Sequence, residues 1–401
     1  MQRGFKRLIT LNETSHQMFD KDLIKRFETL GTPFYYYDIQ LLSETLTRLK
    51  AAVDKYGYCV HYAVKANANP RILQEISSFG FGADCVSGNE VVRALECGFP
   101  ADKVVFAGVG KSDEEITTAI RHDIFCFNSE SIQELEVINK IAGQEGKTAS
   151  VALRLNPGID AHTNKCINTG LADSKFGIDF NKLEETVTIA QKLSNIKLIG
   201  LHFHIGSQIL DKEPYRLLCQ RSNEMQEKIS YMGLDLPEIN LGGGLGVDYI
   251  DPDSNPIPDF ESLMDLIHAN LKVRDRQRVH FEFGRAIVAQ CGTMIAKTLY
   301  IKPATQTTFA IVDAGFTDLI RPALYGSHHK IENLSSHYAQ KDKYDIVGPI
   351  CESTDVFDTG ITLPKTVRGD LIAFRSAGAY GEIMASRYNL RNLPNSYYSD
   401  N

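Results

Sequence analysis

Lys65 sits near the end of the run His61-Tyr62-Ala63-Val64-Lys65-Ala66-Asn67, where a short apolar β-type stretch gives way to small and polar residues. A lysine at the mouth of a closed sheet is positioned for partial desolvation, which lowers its pKa and makes the amine a nucleophile able to form a Schiff base. Four further stretches carry groups that could serve such an amine. Gly242-Gly243-Gly244-Leu245-Gly246 follows a β-type run, and its glycines let backbone amides approach a phosphate closely. Taken alone the loop reads equally well as a tight turn. It lacks both the GxGxxG spacing and the P-loop Lys-Ser/Thr, which disfavours a dinucleotide or nucleoside triphosphate. In Leu201-His202-Phe203-His204-Ile205-Gly206-Ser207, strand alternation turns His202 and His204 to one face, with Ser207 beyond them. Each histidine could be a hydrogen-bonded structural residue. The pair could also hold a metal, but no third ligand stands at a suitable spacing, so no metal is expected.

Glu282 and Arg285 in Phe281-Glu282-Phe283-Gly284-Arg285 place a carboxylate and a guanidinium at one strand end, an arrangement that also suits a structural ion pair. Arg321 and Tyr325 stand at helical i, i+4 spacing, suited to gripping a carboxylate. Cys351-Glu352 joins a thiol to an acid, and Tyr380 lies in a glycine-flanked loop. A Schiff-base lysine, a phosphate site and an acid for a ring nitrogen together are what pyridoxal phosphate requires.

These groups need a frame that gathers strand ends. Eight β-rich runs alternate with amphipathic helical stretches: Val60–Val64, Gly82–Val86, Val104–Ala107, Ile124–Asn128, Val151–Asn156, Leu198–Ile205, Ile239–Leu241 and Val279–Glu282. Helices are expected over Pro70–Ser78, Asn89–Cys97, Asp113–His122, Ile132–Ala142, Leu183–Leu193, Tyr215–Met232 and Phe260–Val273, preceded by a polar helix at about 39–56. Ser112 is a sound cap before Asp113-Glu114-Glu115. Eight alternations over about 250 residues match a (β/α)₈ barrel, with an open doubly wound sheet as the alternative. Polar residues and glycines follow nearly every strand rather than one switch point, which favours the barrel. After Arg285 the alternation stops. A PLP-binding barrel over 38–285 and a mostly β domain over 286–401, joined by the N-terminal 1–37 with its strand-like Phe34-Tyr35-Tyr36-Tyr37, are therefore expected.

Composition narrows the function. The 401 residues are 43% hydrophobic and 23% charged, with a net charge of -7 and no basic block, so nucleic acid is not an expected partner. Neither a signal peptide nor an apolar span is evident, and a cytoplasmic location is expected. Eight cysteines without a CxxC pair read as reduced thiols, seven of them small core hydrophobes.

HYAVKAN, ADCVSGNE, SKFG, HFHIGSQ, GGGLG, DLIRPALYG, GPICES and GAYG occur in an order and spacing that resemble the fold-type III, alanine-racemase-like PLP decarboxylases, from about Pro33 to about Ser386. The resemblance is strongest to the branch acting on diaminopimelate. It implies a barrel joined to a β domain, a homodimer with shared active sites, and pyridoxal 5'-phosphate as cofactor. The implied reaction converts meso-2,6-diaminopimelate to L-lysine and CO₂, the last step of lysine biosynthesis. A relative acting on ornithine, arginine or carboxynorspermidine, or a non-catalytic PLP binder, is the alternative.

By the same resemblance Lys65 would hold the cofactor and His204 would stack on its ring. Glu282 would pair with the ring nitrogen, and Asp84 and Glu90 would sit near the lysine and ring. Ser207, Gly243, Gly244, Arg285 and Tyr380 would bind phosphate, with Gly284 also in contact with the cofactor. Arg285, Arg321, Tyr325 and Tyr380 would hold substrate. Cys351, the proton donor, and Glu352, reading the distal amine, would reach into the neighbouring subunit's site. Phe283 stands where the family has proline, Glu382 is an acid where an apolar residue is expected, and Asp160–Lys175 is the expected active-site loop.

Overall fold

The aromatic run Phe34–Tyr37 forms β1, paired antiparallel with Gly292–Ile295 and parallel with Asn395–Tyr398. The computed structural model describes residues 19–159 and 174–400. The chain then enters a barrel of parallel strands β2 (Cys59–Ala63), β3 (Gly82–Cys85), β4 (Val104–Phe106), β5 (Cys126–Ser129) and β6 (Ala149–Asn156). A two-residue strand, β7 (Ile178–Asp179), is appended to β6. The barrel continues through β8 (Ile196–His202), β9 (Glu238–Asn240) and β10 (Arg278–Phe283). The order β5-β4-β3-β2-β10-β9-β8-β6 is closed by β5 pairing with β6, which excludes the open sheet. All eight expected strands are present, with ends shifted by a few residues. One shift matters: β8 ends at His202, so His204 projects from the loop rather than from the strand.

Local chemistry explains why polar groups collect at one mouth. Asn69, Ser87, Ser112 and Ser131 each cap the helix after a strand by accepting a first-turn amide, and Ser112 with Glu115 completes a capping box. Each cap turns the chain sharply at the C-terminal end of its strand, so the short βα loops crowd that mouth. Inside, Val105, Cys126, Ala152 and Ile199 from adjacent strands form their own apolar cluster, the layered filling of a closed barrel. The opposite mouth is closed by a polar chain in which His61 contacts His280 at 2.9 Å and His280 contacts Glu238 at 2.7 Å.

Beyond β10 lies the second sheet, built on the long strand Gly292–Pro303, with Thr308–Val312, Ile331–Asn333, Lys341–Val347, Val356–Pro364 and Leu371–Phe374, and completed by β1 and Asn395–Tyr398. Of the cysteines described, five are buried, Cys59 is half-buried and Cys351 is exposed; all are free thiols. Cys166 and nearly all of the expected loop Asp160–Lys175 lie outside the described residues. Among the described residues no helix is long and apolar enough to cross a membrane.

Candidate active site

A cavity of about 570 Å³ opens at the C-terminal mouth of the barrel, lined by Lys65, Arg154, His202, His204, Ser207, Glu282, Arg285, Arg321, Tyr325 and Tyr380 among others. Groups from distant parts of the sequence, six of them at or just beyond strand ends, thus meet in one space.

Lys65 lies in a single 3₁₀ turn, Val64–Ala66, directly after β2. Its Nζ is 3.3 Å from Oδ2 of Asp84, which is fully buried on β3. Burial alone would lower the lysine pKa, as the sequence suggests, but the charges of Asp84, Tyr380 and Glu282 outweigh it and hold the ammonium above its usual value. The expected depression is therefore absent from the protein by itself: the lysine meets acids as well as an apolar wall. Burial and the Glu282 charge push Asp84 up to about 7, against the pull of Lys65. The second oxygen of Asp84 has no hydrogen-bond partner.

Glu282 is the most heavily anchored group in the cavity. Its Oε1 accepts from Asn240 at 2.7 Å and Asn128 at 3.2 Å, while Oε2 accepts from His202 Nε2 at 3.0 Å. Burial would raise this carboxyl, yet the interaction and hydrogen bond with His202, together with the Lys65 ammonium, hold it well below the usual carboxylate range. His202 thus acts through Glu282, and its own Nδ1 has no partner. His204 is different. Its Nδ1 accepts the Gly243 amide at 3.2 Å, and burial together with the positive charges of Arg154 and Lys65 keeps the ring neutral.

Gly243 and Gly244 line no part of the cavity but explain its shape. A Cβ on Gly243 would lie 1.8 Å from the Glu282 carbonyl oxygen, and one on Gly244, at φ +108, would lie 2.6 Å from the Gly206 carbonyl. The loop packs bare backbone against β10 and the Ser207 turn. Gly284 begins the short helix Arg285–Val288 close against Ala63 and Ala66. Arg285 donates through Nε and Nη2 to Ser207 Oγ at 3.2 and 3.0 Å and through Nη1 to Tyr249 at 2.7 Å; Tyr380 faces its guanidinium at 4.9 Å. Tyr380 adopts φ 57, and its amide binds the Ala66 carbonyl, tying this loop to the lysine turn. The bland reading of Glu282 and Arg285 as an ion pair fails: their partners are separate.

Arg321 is buried, with Nη1 2.9 Å from His329, Nη2 3.4 Å from Ser327 and its guanidinium 4.7 Å over the Tyr249 ring. Burial, reinforced by the nearby Arg285 charge, holds it below its usual pKa. Among the described residues neither Arg285 nor Arg321 forms an ion pair, whereas Arg154 is matched by Glu130 at 2.7 Å.

The candidates Glu90, Cys351 and Glu352 do not line the cavity, although Glu90 stays close enough to Lys65 and Asp84 to feel their charges. Glu90 does not face the cavity: its carboxylate accepts the Val86 amide at 2.8 Å, so it shapes the loop after β3. Ser87 caps the same helix by accepting the Glu90 amide at 3.2 Å. Cys351 and Glu352 are exposed on a loop held by Asn389 and by Tyr388, whose hydroxyl donates to Glu352 at 2.6 Å. Phe283 is buried in a stack with Phe281 and edge-on to Phe260, so the residue in the proline position contributes packing. Glu382, unexplained by the sequence, accepts from Tyr37 at 2.6 Å and from Asn69, fastening the Tyr380 loop to β1.

Residues 41–289 match the family model described as pyridoxal-dependent decarboxylase, pyridoxal binding domain, and the chain belongs to that family. Within it the chain falls among the diaminopimelate decarboxylases. It is 55% identical over 378 residues to the one from Bacteroides thetaiotaomicron, covering 94% of this chain and 98% of that protein. The one from Aquifex aeolicus is 40% identical over 365 residues, 91% of this chain and 86% of the relative. The crystal structure of diaminopimelate decarboxylase from Helicobacter pylori complexed with L-lysine superposes with a TM-score of 0.89 at 37% identity, covering 94% of each chain.

The residues present fit pyridoxal phosphate. Asp84 has a buried oxygen without a partner, two guanidinium groups lack a counter-anion among the described residues, and Lys65 lines the same cavity as they and the anchored Glu282. Among the described residues no group of His, Cys, Asp or Glu could hold a metal ion.

Proposed function

We propose that this protein decarboxylates meso-2,6-diaminopimelate to L-lysine and CO₂, using pyridoxal 5'-phosphate held in the cavity at Lys65. One observation carries the reading: Arg285 and Arg321 are buried side by side around Tyr249 with only neutral partners, so the cavity wall is set for two anions. A cofactor phosphate and a substrate carboxylate supply them.

Bound pyridoxal phosphate supplies an electron sink for the pair released when a C–COO⁻ bond breaks. Lys65 holds it through its amine, with Asp84 balancing the charge. Glu282, anionic because His202, Asn128 and Asn240 all donate to it, keeps a ring nitrogen protonated. His204, neutral and pinned by the Gly243 amide, offers its flat face without a competing charge. Ser207, Arg285 and Tyr380 would hold the phosphate, and the glycine loop shapes that wall from behind by packing bare backbone against β10 and the Ser207 turn. Arg321 and Tyr325 hold a substrate carboxylate.

The carbon that loses CO₂ must gain a proton. We assign that proton to the Cys351 thiol of a second copy, with Glu352 reading the distal ammonium. Both are exposed in the single chain, beside the exposed Leu390, Tyr388 and Leu393, as a surface completed by a homodimer requires. CO₂ release from meso-diaminopimelate, ornithine, arginine and lysine tests the proposal: diaminopimelate turnover should dominate, and a preference for ornithine would overturn it.

A further inference from the structure

His329 belongs to no motif considered above, yet its two ring nitrogens are both committed. Nδ1 lies 2.8 Å from the Arg375 carbonyl oxygen, which can only accept, so Nδ1 carries the proton. Nε2 lies 2.9 Å from Nη1 of Arg321, which can only donate, so Nε2 presents a lone pair. Both neighbours demand the same neutral tautomer. The ring is buried, edge-on to Tyr249 at 5.2 Å, and burial with the Arg321 charge keeps it from protonating.

The carbonyl it reads is itself fixed. Arg375 binds Asp253 at 2.7 Å and Glu332 at 2.8 Å, joining the loop after β9 to the second sheet. The connection therefore runs from Asp253 and Glu332 through Arg375 to His329 and then to Arg321.

Resting on the reading of Arg321 as the substrate-carboxylate grip, we propose that His329 is the positioning residue for that grip. It aims the guanidinium while leaving its positive charge unspent. A carboxylate at this position would aim Arg321 equally well but would neutralise it and compete with the incoming anion. A neutral acceptor avoids that competition. The remaining partners of Arg321, Ser327 and the Tyr249 ring, are neutral too.

Two shortened amides separate the contacts. In His329→Gln the amide reaches the Nε2 position and keeps an acceptor for Arg321. In His329→Asn it stays near Nδ1, keeping the Arg375 contact and losing the Arg321 contact. Steady-state kinetics on the cofactor-loaded enzyme, with calorimetric binding of L-lysine and melting curves, should show His329→Gln within about threefold of wild type in KM and Kd. His329→Asn should raise both on the order of tenfold or more, with kcat changed far less. His329→Glu should raise KM while melting no earlier than His329→Asn.

Wild-type KM and Kd in folded His329→Asn would overturn the proposal, as would a loss confined to kcat. If His329→Asn does not fold, the comparison of His329→Gln with His329→Glu decides: equal KM values contradict a role for neutrality. A wild-type enzyme that neither turns over diaminopimelate nor binds L-lysine would instead overturn the reading of the site itself.

Discussion

Replacing Glu282 by Gln changes one atom in the best-anchored group of the cavity. The amide oxygen can keep both asparagine donors, at 2.7 and 3.2 Å, but the new NH₂ then meets His202 Nε2–H at 3.0 Å. To accept it, His202 must move its proton to Nδ1, which has no partner. A buried orphan donor costs about 1–3 kcal/mol, and exchanging a charge-assisted bond for a neutral one about 1 kcal/mol more. Relief of a buried charge offsets part of this. Because the folded protein holds Glu282 well below the usual carboxylate range, the anion is favoured on balance, and the net loss should be about 1–3 kcal/mol near neutral pH. The sign has a pH signature. A depressed carboxyl contributes stability above its unfolded pKa and loses it as pH falls, so the deficit of Glu282→Gln should shrink in acid. In turnover, losing the charge should cost kcat about 10²–10³-fold. Denaturant melts across acid to neutral pH and single-substrate kinetics measure both. Wild-type kcat, or a deficit that grows toward acid, would refute the argument.

Gly243→Ala should lower stability by about 1–3 kcal/mol or more and weaken cofactor binding, since its Cβ would overlap the Glu282 carbonyl; titration with pyridoxal phosphate checks it. Asp84 is raised to about 7, so its contribution to the cofactor-free protein is complete below the ordinary carboxyl pKa and is lost as pH rises through about 7. Asp84→Asn should flatten the melting temperature over that window, as differential scanning fluorimetry would show. Arg321→Met should raise KM on the order of a hundredfold while stability changes little, because the lost contacts are balanced by removing a buried charge; kinetics and melts together check this. Lys65→Ala and Cys351→Ala should each be inactive alone, yet mixed hybrids should regain activity if a second copy lends the thiol.

The barrel was legible because its strands are short apolar runs punctuated by Asn and Ser caps, and these signals are local. The cavity's main groups were legible for a related reason: Lys65, Glu282 and Arg285 sit at strand ends, where a barrel aims side chains into its mouth. What supports them was not. Asn128, Asn240 and His202 reach Glu282 across separations of 154, 42 and 80 residues, and nothing in the local pattern of an Asn at a strand end names its partner. Arg154 is inconspicuous inside an apolar strand, although an arginine there needs a buried acid, which Glu130 provides. The depressed lysine pKa that the sequence suggests fails for the same reason, since burial is visible in sequence but the facing carboxylate is not.

Decarboxylation in this cavity removes CO₂ from one end of diaminopimelate and returns a proton to the same carbon. Mass spectrometry of the product formed in D₂O by the cofactor-loaded enzyme tests it most directly. L-lysine carrying one carbon-bound deuterium is expected, with CO₂ released in equal amount. Diaminopimelate recovered intact, or deuterated without loss of CO₂, would contradict it.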